Sequence, residues 1–384
     1  MRVEFWRLSR SPISACLAFV VVGLLACGVA TAGVEPKIRV LLYSGTDPIR
    51  MGLIAEPKQV ALASGAELLV DGEKSAKIWA PVGSGPWRVG SRIVRGDVVV
   101  RVRKQRIEVV NRIGLEDYVA STVGGEMSPS WPTEALRAQA VAARTYVLHE
   151  ARRKRSQSFD VRATAASQVY LGLEAETPET RSATRATEGE VLTYQGEPIL
   201  AVFHSTAGGH TASAGEVWGE DLPYLQVIEV EDEDDAPHMY WRTAVGRQAM
   251  AEIMQGAGVV VGELQSLSID RRTASGRVQS LLVKGTKGSQ RFGGSELRSL
   301  LGGLALRSTL FEIRESADEF TFVGSGHGHG VGMSQWGARA MARRGASYQQ
   351  ILARFYPGTR LEKRTSHRAA LRGSDRLNDQ GDRK

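Results

Sequence analysis

Residues 115–149 constrain the fold more than any other part of the chain. The stretch begins LEDYVASTVGGEM, with an apolar residue at every fourth position up to two consecutive glycines. That spacing predicts one face of a helix, and Gly124-Gly125 are expected to end it. Pro132 suits the first turn of a second helix, because its missing N–H costs nothing there. The segment therefore predicts two helices joined by a loop.

Glu126 lies in the predicted loop, between Gly125 and Met127 and close to Trp131. An apolar setting raises the pKa of a carboxyl group, because burial disfavours its charged form. The second helix is predicted to be apolar along one face, which consists of Leu136, Ala140, Ala143 and Val147.

Four motifs follow one another between Leu115 and Tyr356: GGEM at 124–127, WPTEALRAQAVAARTYVL at 131–148, HSTAGGHT at 204–211 and GHGHGVGMSQWGA at 326–338. Together they resemble the SpoIID/LytB family of bacterial cell-wall proteins over roughly two-thirds of the chain. The resemblance implies a lytic transglycosylase that cleaves peptidoglycan glycan strands, with Glu126 as catalytic acid. The family's common GEMP form is altered here, because Ser128 precedes Pro129.

Ordinary glycosidases use two carboxyl groups, whereas the resemblance implies a reaction that needs one. N-acetylmuramic acid carries its own nucleophile, the C6 hydroxyl. Attack by that hydroxyl gives a 1,6-anhydro sugar and consumes no water. Some members of the family are amidase enhancers, treated as binders that stimulate another hydrolase. A non-catalytic, glycan-binding enhancer of a cell-wall amidase is therefore the alternative function.

The resemblance also implies substrate-binding residues. Arg144, in the AART motif, is predicted to hold a sugar or orient the acid, since a guanidinium offers a planar fork of donors; a helix salt bridge is the structural alternative. Gln168 and Tyr170 lie in a stretch that resembles the family's Q-x-Y segment and are predicted to face the glycan. A buried tyrosine with an ordinary hydrogen-bond partner is the alternative there.

His204 and Ser205 open the third motif. A serine nucleophile is disfavoured, because adjacent strand residues point to opposite faces and the chain lacks a G-x-S-x-G elbow. Both residues are predicted instead to orient Glu126 or the sugar. The fourth motif adds three further predicted substrate-binding residues: His329, Ser334 and Gln335.

A metal site is the competing interpretation of the histidines. His327 and His329 are separated by one glycine, and His204 and His210 bring the number of imidazoles to four. Zinc accepts such ligands. However, no H-E-x-x-H motif is present, and the chemistry implied by the resemblance needs no metal, so we predict no metal and no cofactor.

The predicted fold class is α+β: a β-rich N-terminal region at 33–110, then a mixed helix and strand SpoIID-like domain at 111–362. Val98–Val110 is predicted as one strand and Ile199–His204 as another. Helices are predicted near Glu179–Glu188, Arg247–Met254 and Ser295–Leu301. Trp218 and Tyr224 are aromatics suited to stack on sugar rings or to fill the core. The acidic run 229–235 lacks calcium-loop spacing and is predicted to be a solvated loop.

Residues 1–32 are predicted to be a cleaved signal peptide, with a basic start, an apolar run and an A-x-A sequence at 30–32. The box LLAC at 24–27 supports a competing prediction, a lipoprotein attached to the membrane through Cys27; an uncleaved anchor is a third alternative. All three place the protein in the periplasm or cell envelope. Cys16 and Cys27 are the only cysteines, so the exported domain is predicted to lack disulfides.

The net charge of +7 is concentrated at the ends of the chain, since residues 1–32 contribute +2 and residues 361–384 contribute +3. No interleaved basic and aromatic pattern is present, so we predict no nucleic-acid partner. Residues 363–384 are predicted to be a disordered basic tail. The predicted partners are peptidoglycan glycan strands and, under the enhancer alternative, a cell-wall amidase.

Overall fold

A computed structural model of the chain describes residues 36–63, 67–75, 77–82, 85–293, 304 and 306–364. Helices and sheets are both abundant in these residues, which confirms the predicted α+β class. None of the described helices is long and apolar enough to span a membrane. The predicted signal peptide, the predicted helix at Ser295–Leu301 and the predicted tail beyond residue 364 lie outside the described residues.

The helices of the described residues are α1 (Leu115–Glu126), α2 (Thr133–Arg153), α3 (Pro178–Ala186), α4 (Ala214–Trp218), α5 (Arg247–Gly256), α6 (Gln335–Arg343) and α7 (Tyr348–Phe355). A 3₁₀ turn lies at Leu173–Ala175.

The first eleven strands of the described residues are β1 (Lys37–Gly45), β2 (Ile49–Leu53), β3 (Pro57–Leu62), β4 (Leu68–Val70), β5 (Glu73–Ser75), β6 (Ile78–Trp79), β7 (Trp87–Val89), β8 (Arg92–Val94), β9 (Asp97–Arg103), β10 (Arg106–Gly114) and β11 (Val161–Arg162). They form a five-stranded sheet ordered β11-β1-β10-β9-β6 and a six-stranded sheet ordered β5-β4-β3-β2-β7-β8.

The remaining strands are β12 (Glu190–Tyr194), β13 (Glu197–Pro198), β14 (Phe203–His204), β15 (Tyr240–Gly246), β16 (Leu264–Arg272), β17 (Val278–Gly285), β18 (Gly288–Gly293), β19 (Phe311–Glu315), β20 (Glu319–Ser325), β21 (Met333–Ser334) and β22 (Arg360–Lys363). Their sheets are β13-β12-β22, β15-β20-β19, β16-β17-β18 and the parallel pair β14-β21.

Two strand predictions were wrong. Val98–Val110 is a hairpin of β9 and β10, which turns at Lys104 and Gln105, both with positive φ. Turns of this kind usually contain Asn or Gly, and neither residue is present at 104–105, so the sequence did not indicate a turn there. Ile199–His204 is a strand only at its last two residues, because Ala201 and Val202 donate their N–H groups to carbonyls two residues back.

The main hydrophobic core joins the N-terminal sheets to the central helices. Its fully buried members include Val40 and Val100 of the five-stranded sheet and Tyr118 and Val147 of the helices. Helix α2 is buried nearly all round, including the predicted apolar face, and its many alanines let neighbouring elements approach closely. Helices α1 and α2 therefore pack within the main core, together with the N-terminal sheets.

Residues 250–322 contain a second, smaller core. It consists of residues from α5, β16 to β20 and the segments between them, among them Met250, Leu281 and Phe322. Helix α5 confirms the predicted helix near Arg247–Met254. Strand β18 was missed. The division into domains at residues 110 and 362 remains a prediction, because the main core includes residues on both sides of position 110.

Candidate active site

Glu126 is the last residue of α1, and its carboxylate is held from two sides. The backbone N–H of Val169 donates to Oε1 at 2.6 Å, and the Nε2 of Gln335 donates to Oε2 at 3.3 Å. The side chain is only half-buried. These contacts bring together three parts of the sequence that lie more than forty residues apart.

The prediction that Gly124-Gly125 end the first helix was wrong, since α1 continues through both. Because neither glycine has a side chain, other backbone segments can approach the helix closely at these positions. A Cβ on Gly124 would overlap the carbonyl oxygen of Ala175, and one on Gly125 would lie 2.5 Å from the carbonyl oxygen of Val169. Any side chain at Gly125 would displace Val169, whose N–H binds Glu126.

Burial raises the pKa of the Glu126 carboxyl above its ordinary value. The hydrogen bonds from Val169 and Gln335 act in the opposite direction, because both stabilise the charged form. The balance leaves the pKa raised, as the apolar loop setting predicted. A carboxyl group of this kind keeps its proton to higher pH and still has two donors ready to stabilise the carboxylate after the proton leaves.

Gln335 is positioned by the start of α6. Ser334 caps this helix, its Oγ accepting from the N–H of Gly337 at 3.2 Å. The carbonyl of Ser205 accepts from the N–H of Trp336 at 3.1 Å, and Ser334 Oγ lies 3.3 Å from the same carbonyl oxygen. Strands β14 and β21 pair in parallel at the same point. The HSTAGGHT and SQWGA motifs are thus directly joined, beside Glu126.

His204 is buried, and its Nδ1 lies 3.1 Å from the carbonyl oxygen of Val331. Since a carbonyl only accepts, Nδ1 carries the hydrogen and Nε2 is left as an acceptor. This Nε2 has no hydrogen-bond partner within the described part of the chain. Burial lowers the pKa of the His204 imidazole well below its ordinary value, and His329 and Arg277 act in the same direction. His204 is therefore neutral.

His329 and Trp218 extend this cluster toward solvent. The His329 ring lies 5.6 Å from that of His204 and 5.4 Å from that of Trp218. Trp218 is 42% exposed, whereas Tyr224 is buried and packs on Tyr194. Of the two aromatics considered for sugar stacking, Trp218 alone is accessible beside the predicted site residues.

The structure does not bring Arg144 to Glu126. Its fully buried guanidinium forms two bonds with the carboxylate of Glu116, at 2.8 and 2.6 Å. Glu116 lies ten residues before Glu126 on the same helix, which corresponds to about 15 Å at 1.5 Å per residue. The geometry fits the salt-bridge alternative.

The side chains of Gln168 and Tyr170 are also fully buried. Gln168 accepts from the hydroxyl of Tyr118 at 2.7 Å. Tyr170 stacks on Tyr118 with ring centroids 5.5 Å apart and donates to Asn111 at 2.9 Å. Both side chains are therefore buried and have ordinary hydrogen-bond partners, as the structural alternative stated. The segment contacts Glu126 through the backbone N–H of Val169.

Sequence reasoning missed Glu233. Most of the acidic run is exposed, as predicted, but Glu233 is only 1% exposed and accepts from the N–H groups of Ala207 and Gly208. Val230 and Ala236, three residues to either side, are buried as well. That spacing was the available signal, but a carboxylate at the central position hid it.

A second missed group is an aromatic and cationic cluster beside Gln335. Trp336 packs edge-on against Trp131 with ring centroids 4.9 Å apart. The guanidinium of Arg339 lies 4.7 Å from the Trp336 ring and 5.7 Å from the Trp131 ring. The two tryptophans are partly exposed, and Trp336 directly follows Gln335, which donates to Glu126.

The histidines considered for a metal site do not form one cluster. His327 packs on His238 at 4.9 Å between ring centroids, whereas His329 packs between His204 and Trp218. His210 is exposed. In the described ranges, no three His, Cys, Asp or Glu side chains are grouped so that they could share a metal ion.

Comparison with known proteins connects these motifs to one family. The family model SpoIID, described as Stage II sporulation protein, matches residues 103–194. A second model, described as a domain of unknown function, matches residues 220–332. Glu126 thus lies in the first match, and Glu233 lies in the second.

Three curated proteins are similar over much of the chain. Stage II sporulation protein D of Bacillus subtilis is 30% identical over 327 residues, covering 81% of this chain and 91% of that protein. An uncharacterized protein of Brachyspira hyodysenteriae is 35% identical over 251 residues, covering 65% and 67%. The amidase enhancer of Bacillus subtilis is 32% identical over 287 residues, covering 62% of this chain but 39% of that protein.

Proposed function

Because this chain belongs to the SpoIID family of stage II sporulation proteins, we propose that it is a peptidoglycan lytic transglycosylase. Its substrate is the glycan strand of the bacterial cell wall, and Glu126 is its single catalytic acid. The observation that carries the proposal is the setting of Glu126, a half-buried carboxyl with a raised pKa and a donor on each oxygen.

The proposed reaction uses one carboxyl group twice. Protonated Glu126 donates to the glycosidic oxygen while the bond from that oxygen to C1 of N-acetylmuramic acid breaks. The C6 hydroxyl oxygen of the same sugar then attacks C1, and its proton passes to the Glu126 carboxylate. The products are a strand with a new 4-hydroxyl and a strand that ends in a 1,6-anhydro sugar.

The groups around Glu126 have separate tasks in this proposal. Gln335 and the N–H of Val169 stabilise the carboxylate between the two proton transfers. Ser205 and Ser334 fix the start of the helix that carries Gln335. His204 is buried and supports the ring of His329, whose centroid lies 5.6 Å from its own. His329 and the exposed Trp218 offer a surface on which a pyranose ring stacks.

An enhancer function is the second candidate, because one similar protein is named an amidase enhancer. The same residues around Glu126 would then hold a glycan strand without cleaving it, while a separate cell-wall amidase acts on the bound wall. Both functions place the protein in the cell envelope or outside the cell. They differ in whether the chain itself breaks a glycosidic bond.

The deciding experiment incubates the protein with purified glycan strands, with and without stem peptides, and analyses the products by mass. Transglycosylation gives anhydro ends, lighter by one water than hydrolysis products. Glu126→Gln keeps the shape of the side chain but removes its proton, so cleavage should fall by a factor of about 10² to 10⁴ while strand binding persists. Glu174→Gln, at an exposed glutamate next to Ala175, is the matched control and should cleave normally.

Two results would change this conclusion. Unaltered cleavage by Glu126→Gln would remove Glu126 from the mechanism. Strand binding by the wild type without any cleavage, together with faster turnover of an added cell-wall amidase, would establish the enhancer function instead.

A further inference from the structure

The loop Ala207–His210 is held through its backbone by a buried carboxylate. Oε1 of Glu233 accepts from the N–H of Ala207 at 3.0 Å, and Oε2 accepts from the N–H of Gly208 at 2.9 Å. Glu233 is 1% exposed. Both oxygens are thus engaged by one short stretch of the HSTAGGHT motif.

The carbonyl groups of the same loop are held by a buried guanidinium. Arg277 donates from Nη2 to the carbonyl of Ala207 at 2.8 Å and from Nη1 to the carbonyl of His210 at 3.0 Å. It is 2% exposed. A Cβ on Gly330 would overlap this guanidinium, so the glycine-rich loop of the fourth motif lies directly against it.

Glu233 also reaches the helix that carries Gln335. Its Oε1 accepts from the hydroxyl of Ser334, the N-cap of α6. Gln335 is the next residue and donates to Glu126. A continuous series of hydrogen bonds and one peptide link therefore connects the Ala207 loop, Glu233, Ser334 and the proposed catalytic acid.

Such buried charges are costly unless their hydrogen bonds are satisfied. Glu233 meets that condition with two backbone N–H groups and one hydroxyl, and Arg277 donates from both Nη atoms to carbonyl groups of the third motif. Neither contributes to an apolar core. Groups of this kind fix the geometry of a site, since each bond restricts one peptide of a glycine-rich loop that is otherwise free to adopt several conformations.

We propose that Glu233 and Arg277 are positioning residues, which together hold the Ala207–His210 loop and the start of α6 in register with Glu126. The effect of this positioning on catalysis rests on the proposed function. It also assigns a role to residues 220–332, which match a domain of unknown function: both positioning residues come from this segment, and it therefore completes the site formed by the rest of the chain.

The structural arm of the test measures hydrogen–deuterium exchange of the full chain. In Glu233→Gln, an amide NH₂ replaces one acceptor oxygen. Two donors, the NH₂ and a backbone N–H, then face each other, and one hydrogen bond is lost. Arg277→Lys keeps the charge but loses one arm of the fork. Peptides covering 203–210 and 333–337 should exchange at least about tenfold faster in both variants, a shift that corresponds to about 1.4 kcal/mol. Peptides from α2 should exchange as in the wild type.

Matched controls are available close by. Glu231→Gln is the same substitution at an exposed position of the same acidic run. Arg271→Lys is its counterpart for Arg277, at a side chain that is 68% exposed. Neither control should alter exchange in the two site peptides. If one positioning variant fails to fold, the other tests the proposal alone, since each holds the same loop from its own side.

The catalytic arm measures kcat and KM for strand cleavage at a temperature where every variant is folded. Misplacing Gln335 and the loop should lower kcat by about 10- to 100-fold and change KM by less than about twofold. Normal kcat and KM together with faster exchange would leave Glu233 and Arg277 a purely structural role and overturn the proposal. So would unchanged exchange in both variants.

A failure of the proposed function gives a different pattern. If the wild type cleaves no strand at all, exchange and the affinity for glycan strands become the readouts. Faster exchange with at least about tenfold weaker strand binding would then support the positioning role in a non-catalytic binder. Faster exchange with unaltered binding would overturn it.

Discussion

Arg144 is the residue at which the implied site role and the structure differ most clearly, so its replacement is the most informative single change. The guanidinium binds Glu116 through two bonds and also donates to the carbonyls of Thr184 and Glu190, each at 3.2 Å. It therefore ties α1, α2, the end of α3 and the start of β12 together. We expect Arg144→Met to destabilise the fold and leave the chemistry intact.

The magnitude follows from the burial of the pair. Removing one partner of a buried ion pair costs about 3–5 kcal/mol, because the other charge is left uncompensated. The Glu116 side chain is 24% exposed, so water partly compensates its charge and the lower end of that range applies, about 3 kcal/mol. Arg144→Lys keeps the charge but not the paired bonds, and should cost about 1–2 kcal/mol.

The assay combines thermal melting with strand cleavage. A loss of about 3 kcal/mol should lower the Tm of Arg144→Met by roughly 5–10 °C. A double-mutant cycle with Glu116→Gln isolates the interaction between the two side chains, for which we expect a coupling of at least about 1.5 kcal/mol. At a temperature well below either Tm, cleavage per folded molecule should stay within about twofold of wild type.

The opposite pattern would refute this reasoning. If Arg144→Lys melts like the wild type yet cleaves strands more than about tenfold more slowly, the guanidinium acts in the site despite its burial. The matched control is Arg137→Lys, in a partly exposed pair on the same helix with Glu134 at 2.7 Å; ion pairs near the surface contribute only about 0–1 kcal/mol.

Two further predictions concern pH and metal ions. Cleavage needs Glu126 protonated and should fall as pH rises through the raised pKa of this carboxyl group. Gln335→Leu removes a donor that lowers this pKa, so the alkaline limb of the pH profile should move to higher pH. A move to lower pH would contradict the assigned hydrogen bond. Chelation should leave cleavage within about twofold of its untreated value, because no group of potential ligands is assembled in the described ranges; loss of activity that zinc restores would instead support a histidine metal site.

Much of the fold was predictable because its signals are local. The apolar spacing and alanine content of 132–149 predicted α2. The error at the first helix has a non-local cause. Gly124-Gly125 were taken as a helix end on intrinsic propensity, whereas their function depends on two carbonyl groups that arrive from about fifty residues further along the chain.

The candidate site was predictable only in part for a related physical reason. Motif residues such as Glu126, Ser334 and Gln335 were found because the family resemblance named them. Glu233 and Arg277 were missed because their partners are backbone groups of a distant loop. Backbone N–H and carbonyl groups are present at nearly every residue, so no side-chain pattern in the sequence identifies which of them a buried charge will bind.

Val169 explains why the glycine and the glutamate of the GEM motif occur together. Its carbonyl oxygen occupies the space that a side chain on Gly125 would need, and its N–H donates to the carboxylate of Glu126. One residue thus contacts two consecutive positions at the end of α1, the first by packing and the second by hydrogen bonding. A larger residue before Glu126 would move Val169 away and would remove the shorter of the two hydrogen bonds that hold the carboxylate. The glycine is therefore part of the acid's setting, and the helix has to continue through it to place the carboxyl group where that hydrogen bond can form.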